Sequence, residues 1–137
     1  MSLSDPIADA LTKIRNAYRA GHKLVTVNHS NVTEAIIKVL SDENFLNNYE
    51  IVEFTTKKGV TRKGISINLR YTNNGKSVIT GLERISKPGR RVYVKAANLP
   101  RVFNNIGCAV LSTNRGMMVD RTAREMNIGG EYICKVW

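Results

Sequence analysis

The chain has 137 residues, enough for one domain or two small ones, and its 42% hydrophobic content supplies a real core and excludes a disordered chain. Its formal net charge is +10, which points to a polyanionic partner. No run of about 18 apolar residues and no signal-peptide pattern is present, which argues against a membrane and predicts the compartment of synthesis, the cytoplasm.

In chain order, Asp5 precedes Pro6 in the manner of an N-cap followed by proline at the first helical position. Ile7, Leu11, Ile14 and Tyr18 recur at helical spacing, and Gly21 closes the helix. The polar side of this helix presents Thr12, Lys13 and Asn16, with Arg15 at its margin. Leu24–Val27 reads as a short strand. Asn31 with Glu34 resembles a capping pair for a second helix striped by Val32, Ala35, Ile36, Val39 and Leu40. Tyr49–Thr56 and the alternating run Ile65, Ile67, Leu69, Tyr71 then predict a hairpin, and Asn74-Gly75 a turn. Between Gly75 and Gly81 the pattern changes, which places a boundary there and suggests lobes at 1–78 and 79–137. In the second lobe Leu82–Ile85, Arg91–Val94, Val110–Leu111, Met117–Val119 and Tyr132–Trp137 read as strands, with a brief helix at Asn98–Asn105 and another turn at Asp120–Met126. The expected fold class is α+β: two small, closely packed lobes, the first helix-strand-helix-strand-strand, the second mainly antiparallel β with short helices.

Charge is unevenly placed. Ten basic residues against one acid, Glu83, lie between Lys57 and Arg91, while the rest of the chain nearly balances. Charge kept for solubility alone would be spread more evenly, so the concentration favours nucleic acid over a merely solvated face. The two cysteines, Cys108 and Cys134, sit within apolar runs and are expected as buried, reduced thiols. No Cys-x-x-Cys pair accompanies them, and His22 and His29 are distant, so zinc is disfavoured and no metal or other cofactor is expected.

The most informative segment is Ser112-Thr113-Asn114-Arg115-Gly116, a tight polar loop between two strand-like runs. It offers two hydroxyls, an amide, a guanidinium and exposed backbone N–H groups, which suit base edges and sugar-phosphate oxygens; a plain hairpin turn would use several of the same residues. The second candidate is Ser86–Tyr93. Pro88-Gly89 makes a rigid turn, Lys87, Arg90 and Arg91 can neutralise phosphates, and Tyr93 either stacks on a sugar or base or is a half-buried strand aromatic. Glu131, after Gly129-Gly130, either anchors Arg or Ser side chains near the loop or receives a base amino group. A catalytic reading has little support: no Gly-x-Ser-x-Gly elbow surrounds Ser112, no Gly-x-x-x-x-Gly-Lys-Ser/Thr phosphate loop exists, and the 11 acids form no recognisable catalytic or metal-binding pair.

Four blocks in order resemble the bacterial form of the small-subunit ribosomal protein eight family. They are Asp5–Ala17, Ile85–Tyr93, the signature on Gly107, Val110, Leu111, Ser112, Thr113, Gly116, Met117, Met118 and Ala123, and the ending Gly129–Trp137. Asn114 departs from the serine that often follows the threonine in that family. The resemblance implies a loop that enters the minor groove of a stem in the central domain of small-subunit ribosomal RNA, with Thr12, Lys13, Arg15 and Asn16 matching a second RNA-contact region. It implies neighbouring small-subunit proteins as further partners, and it extends to binding of the protein's own messenger to repress translation. The ribosome concerned is that of the cytoplasm or of an organelle that encodes its own. A free-standing RNA- or DNA-binding regulator of the same fold is the alternative.

Overall fold

The computed structural model describes residues 5–102 and 106–137. The chain divides into two compact units, Pro6–Val78 and Ile79–Trp137, the second joined by the N-terminal segment that ends at Asp5.

The first unit contains α1 (Pro6–Ala20), β1 (Leu24–Asn28), α2 (Asn31–Asp42), β2 (Leu46–Thr55) and β3 (Thr61–Leu69). The three strands form an antiparallel sheet in the order β1-β3-β2. Alternation along β3 sends Ile65, Ile67 and Leu69 to the core, where they join Leu11, Ile14 and Tyr18 of α1 and Ile36, Ile37 and Leu40 of α2 as buried side chains. The hydroxyl of Tyr18 is satisfied inside: it donates to the Phe45 carbonyl at 2.6 Å and accepts from the Arg70 N–H at 3.0 Å. Gly21, at φ +74°, turns the chain out of α1 as expected.

Three local expectations need correction. The N-cap of α2 is Ser30, whose hydroxyl accepts from the Thr33 N–H at 3.1 Å, while Glu34 bonds His29 at 2.7 Å. Asn31 is the first residue of the helix, because Ser30 already occupies the extended conformation a cap needs. Strand β2 begins three residues before Tyr49: a bulge between Leu46 and Asn48, with Asn47 donating to the Leu69 carbonyl at 3.2 Å, brings two poor strand formers into the ladder. Strand β3 ends at Leu69, and Tyr71 makes only an isolated bridge to Ser77.

The second unit contains β4 (Leu82–Arg84), β5 (Tyr93–Val94), a 3₁₀ turn (Ala96–Asn98), β6 (Cys108–Thr113), β7 (Gly116–Val119), α3 (Asp120–Met126) and β8 (Gly130–Val136). Its antiparallel sheet has the order β4-β8-β6-β7, with β5 also paired to β8. Leu111, Met118 and Ala123 form a buried cluster against which Val94, Leu99, Ile128 and Tyr132 pack, so α3 is held on one face of the β6–β7 hairpin. Where a helix was expected from Asn98, the structure has a 3₁₀ turn that ends at Asn98. Pro100 disfavours helical geometry at Leu99, and Leu99–Val102 is not helical; residues 103–105 lie outside the described residues. Asp120–Met126 is a full α-helix of 7 residues, ended by Asn127 in the left-handed conformation.

Cys108 and Cys134 are buried free thiols on adjacent strands. Burial, with a smaller push from Cys108, raises the Cys134 thiol to about 12. In the native protein neither thiol is expected to react with a water-soluble disulfide reagent at neutral pH, and both react once urea unfolds the chain. Rapid labelling of the folded protein would show the strands opening far more readily than this packing allows.

Candidate nucleic-acid interface

The hairpin joining β6 to β7 has a two-residue tip, Asn114-Arg115, and returns through Gly116 at φ +108°, a conformation closed to side chains without strain. The Thr113 hydroxyl locks this turn. It donates to the Gly116 carbonyl at 2.8 Å and accepts from the Arg115 N–H at 3.1 Å. Asn114 and Arg115 are exposed, and Ser112, one position before the lock, is half-buried.

Register then brings distant residues together. Ser112 lies opposite Met117 on one side and opposite Glu131 of β8 on the other; Glu131 in turn lies opposite Tyr93 of β5. Directly opposed residues share a face, so Tyr93, Glu131, Ser112 and Met117 form one row across four strands, pointing away from the Leu111 cluster. At about 4.8 Å between strands, the row spans roughly 14 Å. Tyr93 is the most exposed aromatic side chain among the described residues, at 69%. Two glycines allow this close approach: a Cβ on Gly130 would lie 2.2 Å from the Ser112 carbonyl oxygen, and one on Gly129 2.2 Å from that of Val94.

Glu131 is the hub. Its carboxylate accepts from the Ser86 hydroxyl at 2.5 Å and from the Arg91 guanidinium at 3.0 Å. Burial alone would raise its carboxyl, but the hydrogen bonds from Ser86 and Arg91 and the charges of Arg91 and Arg84 outweigh it and hold the group below its ordinary value. Ser86 is fully buried and also accepts from the Val92 N–H at 3.2 Å. Ser86, Glu131 and Arg91 thus fix both ends of the basic turn. Within that turn Lys87 and Arg90 exchange two backbone bonds of 3.0 Å, leaving Pro88 and Gly89 at the tip and all four residues exposed. Arg84 approaches Asp5 at 3.4 Å, so the carboxylate ahead of α1 also takes part in an ion pair.

Of the sequence candidates, the structure gathers Ser112, Thr113, Asn114, Arg115, Gly116, Tyr93, Glu131, Arg91 and the Lys87–Arg90 turn onto one sheet. Thr12, Lys13, Arg15 and Asn16 belong to the other unit, where Thr12, Lys13 and Asn16 are exposed and Arg15 is half-buried. Lys13 also pairs with Asp9 at 3.4 Å. Ser86 opens the second candidate segment, yet sequence reasoning assigned it no role there. Its signal was faint: a small hydroxyl residue ahead of Lys-Pro-Gly, whose burial is visible only once β8 lies beside it. Among the described residues no group of three or more His, Cys, Asp or Glu could hold a metal.

The family described as Ribosomal protein S8 matches residues 5–137. The chain belongs to that family. Proteins called small ribosomal subunit protein uS8 align over all 137 residues and their own full length, at 50% identity in Lactobacillus delbrueckii, 49% in Streptococcus sanguinis and 47% in Streptococcus gordonii. As a member of the S8 family the chain is a structural protein of the small ribosomal subunit and not an enzyme, and it works as part of the cytoplasmic ribosome. No helix among the described residues is long and apolar enough to cross a membrane.

Proposed function

We propose that this chain binds a stem in the central domain of small-subunit ribosomal RNA and organises the assembly of the RNA and proteins around it, with specific recognition assigned to the lobe of residues 79–137. The observation that carries the reading is the row Tyr93–Glu131–Ser112, bordered on one side by the locked Ser112–Gly116 hairpin and on the other by the basic turn of Lys87, Arg90 and Arg91. An A-form stem presents 2′-hydroxyls and base edges across a wide, shallow minor groove. Short neutral groups such as Ser112 and Asn114 reach those edges, while the guanidinium and ammonium groups take phosphates at the sides. The cationic excess supplies attraction; the neutral hairpin supplies discrimination. Thr12, Lys13, Arg15 and Asn16 form a second, smaller contact on their own helix, and other surfaces meet neighbouring ribosomal proteins. A stem in the protein's own messenger that reproduces the same groove shape would be bound by the same groups, which is the physical basis for repression of its own translation.

Replacing Thr113 with valine tests the hairpin. Affinity for the specific stem is expected to fall by about 1–3 kcal/mol, because a desolvated hydroxyl and the turn geometry it fixes are both lost. The same two local bonds make a cost to folding of about 1 kcal/mol unavoidable. Titration against the stem and an unrelated duplex, with urea melts alongside, separates these effects. Equal losses for both RNAs would place specificity outside the hairpin.

A further inference from the structure

The far ends of β2 and β3, residues 52–55 and 61–63, form a largely exposed paired arm whose outer face carries the residues that alternate with Ile65 and Ile67. Phe54 lies on this face opposite Arg62, a directly opposed cross-strand pair. Beneath its ring is Gly64: a Cβ there would meet Phe54 Cε1 at 3.1 Å and Thr26 Cγ2 at 3.2 Å. The absent side chain lets the ring settle on the strand, and it remains 39% exposed. The tip of the arm carries Lys57, Lys58 and an exposed Val60, and Glu53 is the single acid between Glu53 and Gly64, placed opposite Lys63.

We infer that this arm is a further RNA-binding surface, one that takes a single-stranded segment, with a base stacked on Phe54 and phosphates held by Arg62, Lys57 and Lys58. The inference rests on the chain being an RNA-binding ribosomal protein, but it uses none of the residues of the hairpin site. Protein interfaces are depleted of lysine at their centres, whereas an aromatic ring on a strand flanked by cations is what a single-stranded nucleic acid needs: a stacking surface for any base and charge along the backbone. A duplex cannot offer a base face to a ring lying on a sheet, so the preferred partner is a loop, a bulge or a strand end.

The test uses the full chain already saturated with the ribosomal stem, titrated with a labelled oligouridine of about eight nucleotides. The strand is expected to bind without displacing the stem. Phe54→Leu, which keeps apolar cover over Gly64 but lacks the ring, should weaken strand binding about ten-fold. The triple change Lys57→Gln, Lys58→Gln, Arg62→Gln should lower the slope of log affinity against log salt by about 2. Stem affinity should be unchanged in Phe54→Leu, and Thr113→Val should retain strand binding. Displacement of the strand by the stem, or undiminished strand binding by Phe54→Leu, would overturn the inference while leaving the hairpin site intact. No strand binding by the unaltered protein would also overturn it and would assign the arm to a protein neighbour.

Discussion

Replacing Asp120 with alanine is expected to destabilise the C-terminal unit by about 3–5 kcal/mol, the range for removing one partner of a buried charged pair. Asp120 is 3% exposed. One carboxylate oxygen accepts from the Ala109 N–H at 3.2 Å and the other from the Arg124 guanidinium at 2.9 Å, which also donates to the Pro100 carbonyl at 2.7 Å. A single side chain therefore ties β6, the first turn of α3 and the segment after the 3₁₀ turn. Alanine leaves a backbone N–H without its acceptor and a guanidinium without its counter-charge. Asparagine retains an acceptor for Ala109 and removes the charge, so its cost should be about half. Urea unfolding followed by Trp137 fluorescence, which reports this unit, measures both. A loss under about 1 kcal/mol for Asp120→Ala would show that water replaces the carboxylate easily.

The second large effect is expected at Glu131, and it falls mainly on recognition. Alanine there removes the acceptor shared by Ser86 and Arg91. Because Ser86 is fully buried, leaving its hydroxyl proton without an acceptor costs about 1–3 kcal/mol; the Arg91 pair adds little in itself, since that side chain is 48% exposed. Arg91 and the basic turn lose their fixed geometry, and affinity for the specific stem should fall by about 2 kcal/mol. Binding to unrelated RNA should hold or strengthen, because one negative charge is gone. The acid side has a definite sign. A carboxyl held below its ordinary value of 4.5 contributes stability that is present above that value and lost as pH falls through the lowered one. Glu131→Gln removes this part of the acid dependence, so its melting curve should converge on that of the unaltered protein as pH falls from 4.5 through the lowered value. Equal loss of specific and unrelated RNA binding by Glu131→Ala would reduce the residue to a purely structural role.

The residues themselves determined a good deal. Helix α1 was legible because Ile7, Leu11, Ile14 and Tyr18 recur at one helical period between a proline start and a glycine stop, signals that act within a few residues. Strand β3 was legible because its alternation has one strict apolar face. The concentration of cations and the polar hairpin at Ser112–Gly116 were likewise local facts of composition and turn chemistry. Resemblance in four ordered blocks then named the family before any fold was known.

Tertiary structure decided the rest, wherever the deciding partner was remote in sequence. The cap of α2 moved from Asn31 to Ser30 through the conformation of one residue, and β2 began at Leu46 through a bulge that Leu69 holds. Pro100 and the packing of Leu99 on the Leu111 cluster kept residues 99–102 out of the expected helix, and a 3₁₀ turn ends at Asn98. Spacing along the chain could not show that Tyr93, Ser112 and Glu131 stand side by side, or that Ser86 is buried under Glu131. Those relations are set by strand register, in which a shift of one residue turns every side chain to the other face. Register depends on the whole sheet closing around its core, and so composition supplies the chemistry of this surface while only the fold arranges it.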